Sequence, residues 1–255
     1  MKTISLTVII AAFNEQLNIK DCIKSAQLLS NNIILIDTGS NDKTVTLANE
    51  IGVHVLNFPF SKYVEPSREF GINQAQTDWV FILDADERIT PKLADEIKKI
   101  MSDDKYTYYK VPRKEIFGKK KWLKHGGWWP NYQIRLINKN YFKQWPKEIH
   151  STPVIDGNLG YLKEPLTHFS KNDYEEIVKK TIVFENIESD LLYKASRKVS
   201  VLIFFKKLLG ETYRRLLKNR GFLDGSIGII ESIYQAYSKT ITYLFLYEKK
   251  KRGSL

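Results

Sequence analysis

The chain has 255 residues, of which 43% are hydrophobic and 13% aromatic, enough to bury a sizeable core in one domain or in one domain with an appendage; this composition argues against disorder. Its formal net charge is +11, with a single cysteine, Cys22, so an intramolecular disulfide is excluded and a reducing compartment is expected. No signal-peptide pattern follows Met1, and the longest apolar runs, Val199 to Phe205 and Ile241 to Tyr247, fall far short of the roughly 18 residues a spanning helix needs.

Leu6 to Ala12 reads as a buried strand that runs into Phe13, Asn14 and Glu15. Cys22 shares a helical spacing with Leu17, Ile19, Ile23 and Ala26, which predicts a small core residue on a helix face. Ile33 to Ile36 is a second strand, ending in Asp37-Thr38-Gly39-Ser40-Asn41-Asp42. There Ser40 or Asn41 is expected to cap a helix that carries Val45, Leu47, Ala48 and Ile51 and stops at Gly52. Val53 to Phe58 forms a third strand, Glu65 to Gln76 a helix, and Pro91 opens another helix through Met101.

Between those two helices lies the most informative stretch, Trp79 to Glu87, an apolar strand that ends in Asp84-Ala85-Asp86-Glu87. Crowded carboxylates repel one another, so such a strand end calls for a positive charge or open water, and a divalent cation carrying a substrate phosphate meets that need. Strands alternating with helices imply a mainly parallel sheet with its ligand beyond the carboxyl ends of the strands. Glu15, Asp37, Asp84 and Asp86 are expected to gather at that edge.

Charge is unevenly placed. From Lys194 to Leu255 there are 14 basic and 4 acidic residues, a surplus of ten that accounts for nearly all of the net charge. Val199, Leu202, Ile203, Phe204, Phe205, Leu208 and Leu209 are interleaved there with Lys206, Lys207, Arg214 and Arg215, and Asp224 is expected to cap a second helical pattern through Tyr247. Basic amphipathic helices with aromatic residues suit an anionic membrane surface, while the alternative is helices packed on the body with their lysines in water. A pI near 9.4 also suggests a basic nucleic-acid-binding protein without catalytic activity, but there is no zinc-ligand spacing, RNP-like sequence or recognition helix. A dinucleotide-binding glycine fingerprint and a P-loop are absent too.

Three ordered motifs carry a resemblance: Val8-Ile9-Ile10-Ala11-Ala12-Phe13-Asn14-Glu15, Ile36-Asp37-Thr38-Gly39-Ser40-Asn41-Asp42-Lys43-Thr44 and Asp78 to Arg88. With Gly127-Trp128-Trp129-Pro130, the Arg135-Leu136 pair, Pro165 to Ser170 and Arg220 to Gly225, which look like acceptor-side and tail motifs, the chain resembles the family 2 glycosyltransferases of the GT-A fold. Within them it is most similar to the branch that includes the lipopolysaccharide core β-1,4-glucosyltransferases. The resemblance implies an α/β, Rossmann-like, mixed and mainly parallel sheet flanked by helices, with a transferase domain over 1–170 and a basic helical extension over 171–255 that associates with membrane.

The same resemblance implies a role for each matching residue. Ala11, Phe13, Glu15 and Asp37 would hold the base and ribose of a nucleotide-sugar donor, a UDP-sugar, with Asp37 reading the uracil edge; a strand-end Asp is as often a cap or turn former. Arg68 would contact the donor, or else be a helix surface charge. Asp84 would meet the ribose, and Asp86 with His168 would ligate Mg²⁺ or Mn²⁺ on the diphosphate. Lys147-Glu148-Ile149-His150-Ser151 lies where the branch carries a His-Glu pair, but Ser151 follows the histidine here. In an extended segment Glu148 and His150 share a side, which makes Glu148 the candidate base and His150 its partner. Trp122, Trp128, Trp129, Tyr132 and Trp145 suit sugar faces, a core or a membrane rim equally, and Lys119-Lys120-Lys121 suits acceptor phosphates or solvent. The implied enzyme moves a hexose, glucose from UDP-glucose, to a lipid-linked or lipopolysaccharide-core saccharide at the cytoplasmic face of the membrane.

Overall fold

The computed structural model describes residues 5–61, 63–103, 105–118, 120–148, 151–170 and 174–252. In chain order the elements are β1 (Leu6–Ala12), α1 (Ile19–Gln27), β2 (Ile33–Asp37), α2 (Thr44–Ile51), β3 (His54–Asn57), α3 (Glu65–Gln74), β4 (Trp79–Asp84), β5 (Glu87–Arg88) and α4 (Pro91–Ile100). They continue through β6 (Tyr108–Phe117), β7 (Lys121–Trp122), β8 (Asn131–Asn138), β9 (Phe142–Gln144), β10 (Val154–Ile155), β11 (Leu159–Tyr161) and β12 (Leu166–Ser170). Three long helices follow, α5 (Tyr174–Lys194), α6 (Val201–Thr212) and α7 (Gly225–Arg252). The chain divides into two compact units, 1–114 with 131–169, and 115–130 with 170–255. Residues 115–130 thus leave the first stretch of sequence to join the helical one.

The sheet is ordered β3-β2-β1-β4-β8-β6-β12-β5, parallel from β3 through β4 and antiparallel where β8 meets β4 and β6. Alternation along β1 explains why its first strands are continuously apolar. Leu6, Val8, Ile10 and Ala12 join one buried cluster with α1 and α4, while Ile9 turns to the opposite cluster with Ile36, Ile72, Val80 and Ile82. Cys22 is fully buried in the first cluster, so burial pushes its thiol well above the ordinary range, in keeping with a core residue.

Local signals set the helix ends within a few residues of expectation. Gly52 ends α2 in the left-handed conformation at φ +82°, and Thr90 caps α4 by accepting from Leu93 N–H at 3.2 Å with Pro91 in the first turn. The start of α2 differs from the sequence reading. Neither Ser40 nor Asn41 caps it; the helix begins at Thr44, whose N–H is taken by the Asp42 carboxylate at 2.8 Å.

Gly71 allows α3 to lie against the sheet, since a Cβ there would stand 2.5 Å from Ile9 Cγ2 and 3.1 Å from Ile36 Cγ1. Both contacts are branched core methyl or methylene groups that cannot swing away. Gly71→Val is therefore expected to cost about 2 kcal/mol or more in urea unfolding through overpacking, and an unchanged midpoint would contradict this packing.

In the second unit α7 packs against both α5 and α6. Ser200 caps α6 by accepting from Ile203 N–H at 3.2 Å. No described helix is long and apolar enough to cross a membrane.

Candidate active site

Register gathers the site residues of the first unit. Ala12 pairs with Asp37 on one side of β1 and Ala11 with Asp84 on the other, so the two carboxylates leave neighbouring strands at the same sheet edge. Adjacent strands lie about 4.8 Å apart, which places Asp37 and Asp84 roughly 10 Å apart across the end of β1.

Asp84 is the most heavily engaged of them. Arg68 Nη2 donates to both its oxygens, at 2.7 and 2.9 Å, and Arg135 Nη2 donates to Oδ2 at 2.6 Å. The same Arg135 nitrogen donates to Glu87 Oε1 at 2.6 Å, and Glu87 Oε2 accepts from the Asp84 N–H at 3.1 Å. Glu87 is fully buried and Arg135 nearly so, with Arg113 Nη1 3.7 Å from Glu87. Burial alone would raise the Asp84 pKa, but Arg135 and then Arg68 outweigh it and hold the carboxyl well below the ordinary range. Asp84 is thus ionised, and its orientation is fixed from two sides.

The turn after β4 places the remaining pair. Arg88 braces it by donating to Ala85 O, Glu87 O and Asn18 O, at 2.9, 2.8 and 3.1 Å. His168 is opposite Glu87 in the β12–β5 pairing, and its Nε2 comes 3.2 Å from Asp86 Oδ2. Burial raises the Asp86 pKa, and His168 overrides that to leave it lowered. A carboxylate oxygen facing an imidazole nitrogen is a donor set that fits Mg²⁺ or Mn²⁺. Among the described residues no third His, Cys, Asp or Glu completes a metal-holding group. Such cations commonly take one or two protein ligands and fill the rest from substrate phosphate and water, so the pair fits a cation that arrives with its substrate.

Other expected residues are placed as follows. Asp37 is buried, and its Oδ2 accepts from Gly39 N–H and Ser40 N–H, both at 3.1 Å, so it shapes the turn after β2. Phe13 is 43% exposed with its ring 5.0 Å from that of Phe60. Glu15 accepts from Asn18 Nδ2 at 2.7 Å, while its N–H donates to Thr44 Oγ1 at 2.7 Å. Arg68 lies over the Trp145 ring at 5.2 Å and is no surface charge. Trp145 is a core residue, 4% exposed in the Ile9 cluster. Tyr132 lies in the first unit, and Trp122, Trp128 and Trp129 lie in the second. Glu148 is exposed; His150 and Lys119 lie outside the described residues.

Arg135 and Glu87 were not legible as partners of Asp84. The sequence grouped Arg135 with acceptor-side motifs, and 48 residues separate it from Glu87. The one available signal was the run of apolar neighbours around Arg135 in Ile134-Arg135-Leu136-Ile137, since a charge so placed needs a buried partner.

The sheet edge thus bears an arginine-clamped carboxylate, Asp84, and a carboxylate–imidazole pair, Asp86 with His168. Comparison with known proteins gives the family. Residues 7–168 match the model of glycosyl transferase family 2, and the chain belongs to that family. It is 28% identical over 267 residues to an uncharacterized glycosyltransferase of Rickettsia conorii, covering 98% of this chain and 93% of the relative. It is 22% identical over 260 residues to the lipopolysaccharide core biosynthesis glycosyltransferase LpsC of Rhizobium meliloti, covering 96% and 92%.

Among solved structures, S. aureus TarS 1-349 in complex with UDP-GlcNAc superposes with a TM-score of 0.53 at 11% identity, covering 98% of this chain and 92% of that one. Glucosyl-3-phosphoglycerate synthase from Mycobacterium tuberculosis in complex with Mn²⁺ and UDP-glucose gives 0.50 at 14%, covering 78% and 81%. The fold is GT-A and the protein is a glycosyltransferase. The alternative of a noncatalytic nucleic-acid-binding protein is set aside.

Arg135→Met would leave the buried Glu87 without its hydrogen-bonded charge partner, with Arg113 3.7 Å away, and breaking a buried pair in this way costs about 3 kcal/mol. A stability loss under about 1 kcal/mol would contradict the assigned geometry. The pH dependence has a definite sign. Because the folded-state pKa of Asp84 is depressed, its stabilisation is present above the unfolded value, near 3.9, and is lost as pH falls below it. Asp84→Asn should therefore flatten the acid-unfolding curve below about pH 4, whereas a curve parallel to wild type would place the titrating group elsewhere.

Proposed function

We propose that the protein is an inverting, metal-dependent hexosyltransferase that moves glucose from UDP-glucose to a lipid-linked or lipopolysaccharide-core saccharide at the cytoplasmic face of the membrane. The observation that carries this reading is the strand-end arrangement of Asp84, fixed by Arg68 and Arg135, beside the Asp86–His168 pair. An ionised, rigidly held Asp84 is a ready acceptor for the two hydroxyls of a ribose. Arg68 Nε is a buried donor with no acceptor among the described residues, as expected of a group that awaits an anionic ligand. Asp86 and His168 would hold Mg²⁺ or Mn²⁺, which when bound neutralises charge on the departing diphosphate.

The donor class is supported by the UDP-sugars that TarS and glucosyl-3-phosphoglycerate synthase hold on the same fold, and the acceptor class by the similarity to LpsC. In the reaction an acceptor hydroxyl oxygen bonds to C1 from the face opposite the diphosphate, the C1–O bond breaks, and UDP leaves. The hydroxyl proton passes to a base, for which Glu148, with His150 beside it in sequence, is the proposed carboxylate. Glu148 is exposed, hence reachable by an acceptor hydroxyl.

A membrane-facing role for the second unit is supported by α6 and the turn that continues it. Val201, Phe205, Leu209, Tyr213 and Leu217 repeat every four residues and are 69, 51, 65, 60 and 54% exposed. Lys206, Lys207, Arg214 and Lys218 accompany them, all exposed as well. An exposed apolar stripe flanked by cations is the pattern of an interfacial helix, with each basic residue near anionic lipid worth about 1 kcal/mol.

Two measurements test the reading. Asp86→Asn should keep its fold by circular dichroism and lose Mn²⁺-dependent release of UDP from UDP-glucose by about a hundredfold or more, on the scale of losing one charge-stabilising group; full activity would remove the metal role. Phe205→Ser with Leu209→Ser should shift the protein from anionic liposomes to the supernatant in flotation, and unchanged binding would remove the membrane role.

A further inference from the structure

The second unit holds a polar construction that the donor reading leaves unused. Residues 125–128 form a tight turn, closed by Trp128 N–H donating to His125 O at 3.2 Å. Its central residues, Gly126 and Gly127, both have positive φ, +67° and +85°, which glycine enters without strain. A Cβ on Gly127 would stand 3.1 Å from Asn219 Nδ2. Gly126 N–H donates to Asn219 O at 2.8 Å, and Arg215 Nη1 donates to Gly126 O at 3.2 Å, so the turn is clamped to the segment ahead of α7.

Asp224 completes the clamp, and its side chain is not where the sequence put it. Expected as a helix cap, it precedes α7 but directs its carboxylate to the turn. Oδ2 accepts from Lys124 N–H at 2.8 Å and His125 N–H at 2.7 Å, and Oδ1 lies 2.8 Å from His125 Nδ1. Asp224 is 4% exposed, whereas the His125 side chain is 35% exposed.

The carboxylate oxygen accepts from a ring N–H, so the imidazole hydrogen that faces it is on Nδ1, and in that tautomer the lone pair is on Nε2. Among the described residues Nε2 takes no hydrogen bond. The two backbone bonds alone would close the turn; the third bond fixes the tautomer and ring plane of a half-exposed histidine. Around it in sequence are three half-buried indoles. Trp122 and Trp129 meet edge to face at 5.5 Å, Lys124 Nζ lies 4.4 Å over Trp122, and Arg215 lies 5.8 Å from the Trp128 ring.

We propose that His125, fixed by Asp224, together with the indoles of Trp122, Trp128 and Trp129, forms a saccharide-binding site. A pyranose hydroxyl donates to Nε2, and the apolar C–H face of the ring lies against an indole. The choice of a saccharide rests on the transferase reading. Asp224 is a positioning residue, since it acts on the sugar only through His125.

The test uses the full chain and three probes, the methyl β-pyranosides of glucose, galactose and mannose, by saturation-transfer NMR, with the histidine ring nitrogens followed in ¹⁵N-labelled protein and UDP titrated in the same samples. Wild type should show saturation of at least one glycoside and a pyridine-type Nε2 on His125 that shifts on its addition. His125→Ala should weaken that binding about five- to tenfold, the loss expected for one hydrogen bond.

Asp224→Asn is the discriminating variant, because its amide oxygen can keep both backbone bonds while its NH₂ faces Nδ1 and moves the imidazole proton to Nε2. With the melting temperature preserved, a reversed tautomer and a comparable loss of glycoside binding support the proposal. Glycoside binding at wild-type strength in Asp224→Asn with a reversed tautomer, or no glycoside contact in wild type, overturns it. Failure of UDP to bind while a glycoside still does would overturn the donor reading and leave this site standing.

Discussion

Asp84 is held between two guanidinium groups, and the rest of the strand edge is organised around that contact. Arg68 reaches it from α3 and Arg135 from β8, while Glu87 ties Arg135 and the Asp84 backbone together from below. Two carboxylates three residues apart would repel in a low-dielectric environment, and the buried Arg135 turns that repulsion into a bridge. The turn from Asp84 to Arg88 can then be tight, and its tightness brings Asp86 to the partner strand that carries His168. Charge compensation beneath the edge comes first, and the cation-ready pair above it follows.

The division of labour between the carboxylates is physical. Asp84 is satisfied by fixed protein cations and has no charge to spare for a metal, yet its lone pairs can still accept from neutral hydroxyls. Among the described residues Asp86 has the His168 imidazole as its side-chain hydrogen-bond partner, and a divalent cation would bring it a stronger one. Adjacent carboxylates of identical chemistry are thereby assigned to different tasks by their neighbours, a ribose for one and a metal-bound diphosphate for the other under the proposed function.

Much of this frame was legible in the chain. Continuous apolar runs such as Leu6 to Ala12 announce strands covered on both faces, and the polar clusters that end them announce the ligand edge. Elements with strong punctuation, such as Gly52 and Pro91, were placed to within a residue or so. What could not be read was pairing at long range. Arg135 and Glu87 are 48 residues apart and His125 and Asp224 are 99, and no local period links either pair. Short-range alternatives also misled: Ser40, Asn41 and Asp224 are good caps by residue type, but Asp42 serves α2, and Asp224 is recruited by a turn on distant sequence. The aromatic residues looked like one cluster because they are close in sequence, whereas Trp145 packs in the first unit's core and Trp122, Trp128 and Trp129 belong to the second unit.

The central claim is that the Asp84–Arg68–Arg135 cluster orients a nucleotide while Asp86 and His168 take the cation. A crystal structure with UDP and Mn²⁺, with data collected at the manganese absorption edge, examines it most directly. The account predicts an anomalous peak about 2.2 Å from an Asp86 carboxylate oxygen, the ordinary range for such a cation, with the ribose within hydrogen-bond distance of Asp84. Manganese elsewhere, or a ribose that avoids Asp84 while both arginines keep their present contacts, would contradict it.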